Sequence, residues 1–462
     1  MKGEKEMRSD ERLGSEKMTP LVFKMALPSV AAQLVNLLYN LVDRMYIGKI
    51  EGVGTDALAG VGLSSSVILL IAAFASLVGG GGSPQAAIAL GKGDREGAAR
   101  ILNNGFVMLL FFSALCTALP LIFLKPILLF AGASDVTLPY AAEYLSVYLC
   151  GTVFVMLASG LNMFISCQGR PGIAMASVVI GAGLNVLLDP LFIFTFGMGV
   201  RGAALATVIS QAVSAAWVLF FLFSRRANLK LDPRLMRPRM SVIMKISALG
   251  ISPFVMASTE SLVGFALNGQ LSQYGGDIHV SALAIMQGAM QMVSVPLSGF
   301  AQGVIPILSY NFGHKRGDRV RACFRTSALV VFLFNLFGIL FMILFPRVIA
   351  GMFTADGELI EVVARYMPVF LLGMTIFGLQ RMCQNTFVAL GQAKVSLFIA
   401  LLRKVILLVP LSYLLPLMWQ VQGVYIAEAA ADAIAAVTCA TLFTLLFPRI
   451  LGKNEESINK SE

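Results

Sequence analysis

Apolar residues run through this chain in long, nearly unbroken stretches, and polar positions collect in short segments between them. The runs lack the strict alternation of a membrane strand. Each is about as long as the roughly 20 residues that carry a helix across the hydrocarbon of a bilayer. Twelve spans are predicted, near 19–47, 56–82, 98–124, 138–166, 172–195 and 200–224, then near 241–270, 280–311, 320–346, 359–388, 394–417 and 421–447. The expected fold class is an all-α polytopic membrane protein with two six-helix lobes, 19–224 and 241–447. A tail at 1–18, a linker at 225–240 and a tail at 448–462 complete the division.

Composition agrees. The chain has 462 residues, 57% of them apolar and 13% charged, with mean hydropathy +0.81, whereas a soluble domain carries about 25% charge. Residues 1–18 hold charges of both signs and no apolar stretch. The run from Leu21 is too long for a signal peptide and has no A-x-A-like site, so it reads as a retained first span. The net charge of +10 reflects the loops, and no nucleic-acid partner is expected. Lys92, Arg95, Arg100, Arg170, the 225–245 segment and Lys315, Arg316, Arg319 and Arg321 lie on one side. Glu51, Asp56, Asp135, Asp277, Asp356, Glu358 and Glu361 lie on the other. The positive-inside bias then predicts both termini in the cytoplasm and the protein in the plasma membrane. The six cysteines are scattered without a C-x-x-C pair and the two histidines sit in separate loops, so neither a disulfide framework nor a thiolate metal site is expected.

The halves repeat at a nearly fixed offset. Pro84 and Gly91 recur as Pro306 and Gly313, Tyr144 as Tyr366 and Gly169 as Gly391, all 222 residues apart. Six spans return the chain to its starting side, so the repeat is parallel. Two such bundles facing one cleft have the geometry to rock about it. The basic segment 225–245 would tether them. The second span contains GGGGSP at 79–84, which reads either as a flexing break or as close packing of small residues. No G-x-x-x-x-G-K-[ST] is present, and the chain lacks room for a nucleotide-binding domain, so transport would draw on an ion gradient or on another subunit.

Several polar residues interrupt the apolar runs. Asn36, Tyr39, Asn40 and Asp43 form one stripe of the first span. Asp43 either faces a polar cavity or lies solvated beside Arg44 just outside the bilayer. A carboxylate at the centre of a span costs about 2.5–3.5 kcal/mol on insertion scales, and such residues are functional by default. In the fifth span, Asn185 and Asp189 share a face, with Pro190 loosening the backbone; Thr207 in the sixth lies at similar depth. Two carboxylates with amide and hydroxyl oxygens make a hard-oxygen site that would hold Na⁺ (at Asp43, Asp189 and Asn185) or share a proton. The second half has different acids: Glu260, and Glu428 with Asp432 at i and i+4, Glu428 standing opposite Thr207 in the repeat. They would attract a cationic substrate along with Asn36 and Asn40, or bond neighbouring helices. The in-span charges read as mostly acidic. Some of the 32 Phe and 23 Met would give the cleft a soft surface suited to flat cations.

LYNLVDRMYIG at 38–48, GGGGSPQAAIALGKGD at 79–94, LNVLLDPLFIF at 184–194 and GVRGAALAT at 199–207 together resemble the multidrug and toxic compound extrusion (MATE) family, along essentially the whole chain. The resemblance implies a rocker-switch cycle between two pseudo-symmetric lobes and export of cationic small-molecule drugs in exchange for H⁺ or Na⁺. No other cofactor and no enzymatic activity are expected, and a monomer is. In prokaryotic members the first-lobe cation site maps here to Asp43, Asn162, Asn185, Asp189 and Thr207, with Tyr39 beside Asp43. The branch with a second-lobe cation site has an acid on its tenth helix. This chain has Gln380 and Arg381 there, which favours the first lobe. Two rivals stand against this reading. A lipid-linked oligosaccharide flippase calls for a cavity rich in Arg and Lys, against the acidic in-span charges. An intramembrane transferase calls for clustered acids or a His/Ser/Asp set, which the chain lacks.

Overall fold

The computed structural model describes residues 10–459; positions 1–9 and 460–462 of the two predicted tails lie outside the described residues. Every regular element among the described residues is helical. Ten helices are singly long and apolar enough to span, and two bent pairs bring the number to twelve. The first lobe comprises Met18–Gly48, Gly54–Gly91, Arg95–Ile122, the pair Leu138–Cys150 and Thr152–Ser166, then Pro171–Thr195 and Gly199–Phe223. The second comprises Met240–Gly275, Asp277–Gly313, Gly317–Leu344, the pair Gly357–Leu371 and Gly373–Ala389, then Ala393–Leu414 and the helix from Pro416. These are spans one to twelve below.

Two bends sharpen the repeat. Span four turns by 58° at Gly151 and span ten by 45° at Leu372, next to Gly373, which stands 222 residues from Gly151. At Gly151 a Cβ would come within 2.4 Å of Val208, and at Gly373 within 2.2 Å of the Ala429 carbonyl. Each bend therefore seats on the sixth helix of its own lobe, at equivalent positions. Short helices, Leu124–Phe130 and Pro346–Gly351, follow spans three and nine in both halves.

Of the two readings of GGGGSP, close packing of small residues is the one the structure fits. Span two is one continuous helix to Gly91, past the expected end at residue 82. Its glycines are contact points. A Cβ on Gly79 would meet Gly160 and Met163 of span four, and one on Gly82 would meet Phe164. Gly80 and Gly81 instead lie against Pro253, Gly250 and Ile246 of span seven in the other lobe. Packing on both sides overrides the weak helix propensity of glycine.

The lobes meet through such small residues. Spans two and eight cross where a Cβ on Gly91 would lie 2.0 Å from the Tyr310 carbonyl and one on Gly313 would lie 2.1 Å from the Ile88 carbonyl. Because 88 and 310, like 91 and 313, are 222 apart, the contact is its own mirror under the repeat. Gly299 and Gly303 of span eight lie against Val30 and Ala26 of span one. Phe74 of span two meets Phe254 of span seven with ring centroids 5.0 Å apart. These contacts occupy the half of the molecule that carries the chain ends. Farther along spans one and seven, Asn40 and Glu260 are exposed.

The polar segments are docked rather than loose. Leu13, in the short helix Arg12–Ser15, is buried, and its carbonyl accepts from Asn311 Nδ2 at 2.9 Å and Arg319 Nη2 at 3.3 Å. Asp10 accepts from Asn228 at 2.5 Å and pairs with Arg95 at 3.7 Å. The N-terminal segment therefore touches both lobes. Span twelve continues to Asn459 in place of a tail from residue 448, with Asn454 Nδ2 donating to the Phe312 carbonyl at 2.7 Å. Both chain ends thus reach the same face, around residues 311–312. The linker is pinned to the first lobe. Asn103 bonds the Lys230 carbonyl at 3.0 Å and the Asp232 N–H at 2.8 Å, Asn104 accepts from the Arg239 N–H at 2.8 Å, and Gln168 accepts from the Leu229 N–H at 2.9 Å.

Candidate functional site

Span five ends in LNVLLDPLFIFT. Pro190 has no N–H to donate, and the helix relaxes into a π-helical turn over Leu191–Thr195 immediately after Asp189. Asp189 is fully buried and Asn185, one turn earlier, nearly so. Asn185 Nδ2 donates to Asp189 Oδ1 at 3.1 Å and reaches Thr207 Oγ1 of span six at 3.4 Å; Thr207 donates to the Ala203 carbonyl at 3.0 Å. Span one packs on span five, and Asp43, also buried, brings its carboxyl into hydrogen-bonding contact with that of Asp189. Asp43 therefore faces the lobe interior and is not solvated beside Arg44.

One oxygen of each group stays unpartnered: Asp43 Oδ1, Asp189 Oδ2 and Asn185 Oδ1 are buried without a hydrogen-bond donor. Buried polar atoms are satisfied in the great majority of cases, so three orphaned acceptors on two adjacent helices call for a positive charge. Two touching carboxyls also cannot both stay ionised in a buried site without a proton or cation between them. Among the described residues no three or more His, Cys, Asp or Glu side chains cluster as metal ligands. The donor set of two carboxyls, one amide and one hydroxyl suits a proton or a monovalent cation better than a cage of carboxylates for a divalent one.

Aromatic hydroxyls complete the pocket. Tyr39 lies one turn before Asp43 and bonds Asn40, while Asn40 also donates to the Asn36 carbonyl at 2.7 Å. Tyr144 and Tyr148 of span four are buried and stacked, centroids 6.1 Å apart, and Tyr144 bonds Thr207. Neither was singled out for the site from sequence. The signal was their i, i+4 spacing on the helix just before the Gly151 bend. Asn162 stands apart: its Nδ2 donates to Ser177 Oγ at 2.7 Å. Ser177 precedes Asn185 by two turns, about 12 Å along the helix.

The second lobe corrects the expectation of mostly acidic in-span charge. Glu428 and Asp432 are buried, and both bond Arg403 of span eleven, Glu428 at 3.3 Å. Glu260, 62% exposed, pairs with the buried Lys404, which also donates to the Met256 carbonyl at 2.7 Å. Arg381 of span ten bonds Ser298 and lies over the Phe377 ring, 5.1 Å from its centroid. Three acids thus face three bases. The pair Arg403–Lys404 was legible as an interruption of LFIALLRKVILLV and was passed over.

A two-lobed, twelve-span membrane fold with a buried cation-seeking carboxyl pair in one lobe defines the class. The sequence profile of the MatE family matches residues 28–191 and 254–414, the greater part of the chain. The chain belongs to the MatE family. It is 24% identical over 459 residues to the multidrug export protein MepA of Staphylococcus aureus (strain MRSA252), covering 97% of this chain and 99% of that protein. To MepA of Staphylococcus haemolyticus it is 22% identical, covering 89% of this chain and 90% of that one. A solved structure of a multidrug resistance MATE family transporter in an outward-facing conformation superposes with a TM-score of 0.90 at 23% identity, covering 97% of this chain and 99% of that one. A MOP superfamily transporter from Pyrococcus furiosus, for which a reversed pocket polarity suggests a different function, superposes equally well at 24% identity and the same coverage. At these identities the structures establish the shared fold.

Proposed function

We propose that this chain is a secondary multidrug efflux antiporter of the plasma membrane, exporting organic cations against an inward flow of H⁺ or Na⁺. The orphaned oxygens of Asp43, Asp189 and Asn185 carry the reading; the relatives named for multidrug export support its direction. The face holding both chain ends is taken as cytoplasmic because the Lys- and Arg-rich loops cluster there. In the arrangement described, the cleft is then open to the outside.

From this arrangement the cation enters the first lobe and neutralises the acid pair. That removes the cost of burying two carboxyls and favours a geometry in which span one packs more closely on span five. Drug is released outward, the lobes rock, and the cation leaves to the cytoplasm as new drug binds. The ion drives the cycle only as far as it binds one lobe arrangement better than the other. The oligosaccharide flippase is not favoured. Its pyrophosphate would need several unmatched bases, whereas Arg403 and Lys404 are paired with acids and only Arg381 of the cluster bonds a hydroxyl instead.

The deciding experiment is ethidium efflux from everted vesicles under an imposed pH gradient and then an imposed Na⁺ gradient, with wild type and Asp43→Asn. Wild type is expected to respond to one gradient and Asp43→Asn to neither while still inserting. Undiminished efflux by the variant removes Asp43 from the mechanism.

A further inference from the structure

The first-lobe site is built from the first, fifth and sixth helices of its half: Asp43 on span one, Asn185 and Asp189 on span five, Thr207 on span six. The second-lobe cluster draws on the equivalent three helices: Glu260 on span seven, Arg403 and Lys404 on span eleven, Glu428 and Asp432 on span twelve. Thr207 and Glu428 occupy matching positions, each one residue before the position on which its lobe's bend rests, Val208 or Ala429.

The two cradles differ in what neutralises their acids. Each of Asp43, Asp189, Glu428 and Asp432 keeps one buried oxygen without a partner, but among the described residues no basic side chain bonds Asp43 or Asp189. In the second, Arg403 reaches from span eleven to span twelve and bonds Glu428 and Asp432 together, its guanidinium carbon 4.4 Å from the centroid of the Phe377 ring. Lys404 reaches the other way, to span seven, and bonds Glu260. Adjacent residues on a helix point roughly 100° apart, so Arg403 and Lys404, in the π-helical stretch Leu402–Leu408, reach different neighbouring helices. A planar guanidinium shared by two carboxylates is a strong charge-assisted arrangement. Arg381, the third base, bonds Ser298. Every titratable group packed into the cluster is thereby accounted for: Glu260, Arg381, Arg403, Lys404, Glu428 and Asp432.

We infer that Arg403 is a tethered counter-ion. It stands in the second lobe where an exchangeable cation stands in the first, so that ion exchange is confined to one lobe and Glu428 and Asp432 are withheld from it. The inference rests on the first-lobe reading only for the comparison; the pairing of Arg403 is independent of it. Removing the guanidinium leaves a buried acid pair on one helix face, the same chemistry as Asp43 and Asp189, and so creates a second cation site.

The test counts cations bound by purified, detergent-solubilised protein, with Na⁺ titrated calorimetrically and proton uptake followed across a pH step. Wild type is expected to bind cation in one step that Asp43→Asn removes. Arg403→Gln should add a further cation per chain. That second step should persist in Arg403→Gln with Asp43→Asn and vanish in Arg403→Gln with Asp432→Asn. An Arg403→Gln protein that folds and binds no more cation than wild type overturns the inference. If Arg403→Gln fails to fold, the double variant with Asp432→Asn should restore a monodisperse protein. Failure of that rescue assigns Arg403 to packing and also overturns the inference. A wild-type step unaffected by Asp43→Asn counts against the first-lobe reading alone.

Discussion

Gly250→Ala tests whether the glycines shared by the lobes set their contact. The added Cβ would lie 1.8 Å from the carbonyl oxygen of Leu77 in span two. Ordinary contact begins near 3.3–3.5 Å, so the helices must part by about 1.5 Å, and the obstructing Leu77 atoms are backbone that cannot rotate away. Overpacking of this kind costs about 1–3 kcal/mol. In the proposed cycle the lobes separate on this face when the cleft reverses, so the cost would fall on the present arrangement and not on its alternative. A bias of about 1–3 kcal/mol corresponds to a shift of about 5- to 150-fold between the two. The assay is maleimide labelling of a cysteine placed at Ala26 in a background lacking the six native cysteines, with thermal unfolding in detergent alongside. Gly250→Ala is expected to raise labelling of that position and lower the midpoint. Gly264→Ala and Gly269→Ala, on the same helix with nothing within 4 Å of the new methyl, are expected to change neither. Labelling and midpoint unchanged in Gly250→Ala would falsify the packing account of the interface.

Asn185→Ala should abolish gradient-driven ethidium efflux, whereas Asn162→Ala, which loses only the Ser177 bond, should keep it within a few fold; equal losses would return Asn162 to the site. Asn103→Leu strands the Lys230 carbonyl and the Asp232 N–H at about 1–3 kcal/mol for a buried unpaired group, so trypsin should cut the 224–239 segment at least several-fold faster, as followed by gel. Asn311→Leu removes a bond to the Leu13 carbonyl and should loosen the segment so that trypsin cuts faster at Arg12 and Lys17, whose side chains are already exposed. If their cleavage is unchanged, that bond does not hold the N-terminal segment. Tyr144→Phe keeps the buried ring and removes the hydroxyl facing Thr207, so it should lower the apparent cation affinity in the vesicle assay while leaving expression at the wild-type level.

The fold was legible because lipid imposes a simple rule: each span must be a helix, and the loops between spans carry the charge. Span ends were harder to read. The run at 79–84 looks like a break because glycine is a poor helix former, and only the neighbours that cover Gly79 to Gly82 explain why the helix continues. The bends at Gly151 and Leu372 were hidden in the repeat, although Gly151 and Gly373 stand at the offset of the other pairs. In the first lobe Asp43, Asn185, Asp189 and Thr207 could be grouped from helical spacing and depth, since one helix face sufficed for each. The second-lobe pairing could not, because Arg403 and Lys404 find their acids on two different helices, 25 to 144 residues away. Docking of Asp10, Leu13 and the linker depended on partners more than a hundred residues away, which local pattern does not encode.

The crossing of Gly91 over Tyr310 and of Gly313 over Ile88 has the form of a handshake between twins. Each half offers a notch and a ridge, and each notch takes the ridge of the other, as in an assembly of two identical subunits about a dyad. A single polypeptide is not needed to make that contact. Two separate six-helix pieces, cut between Ala227 and Arg239 and produced together, carry complementary surfaces for finding each other in the bilayer. The joining segment, pinned to the first lobe through Asn103, Asn104 and Gln168, contributes loyalty between partners more than their fit.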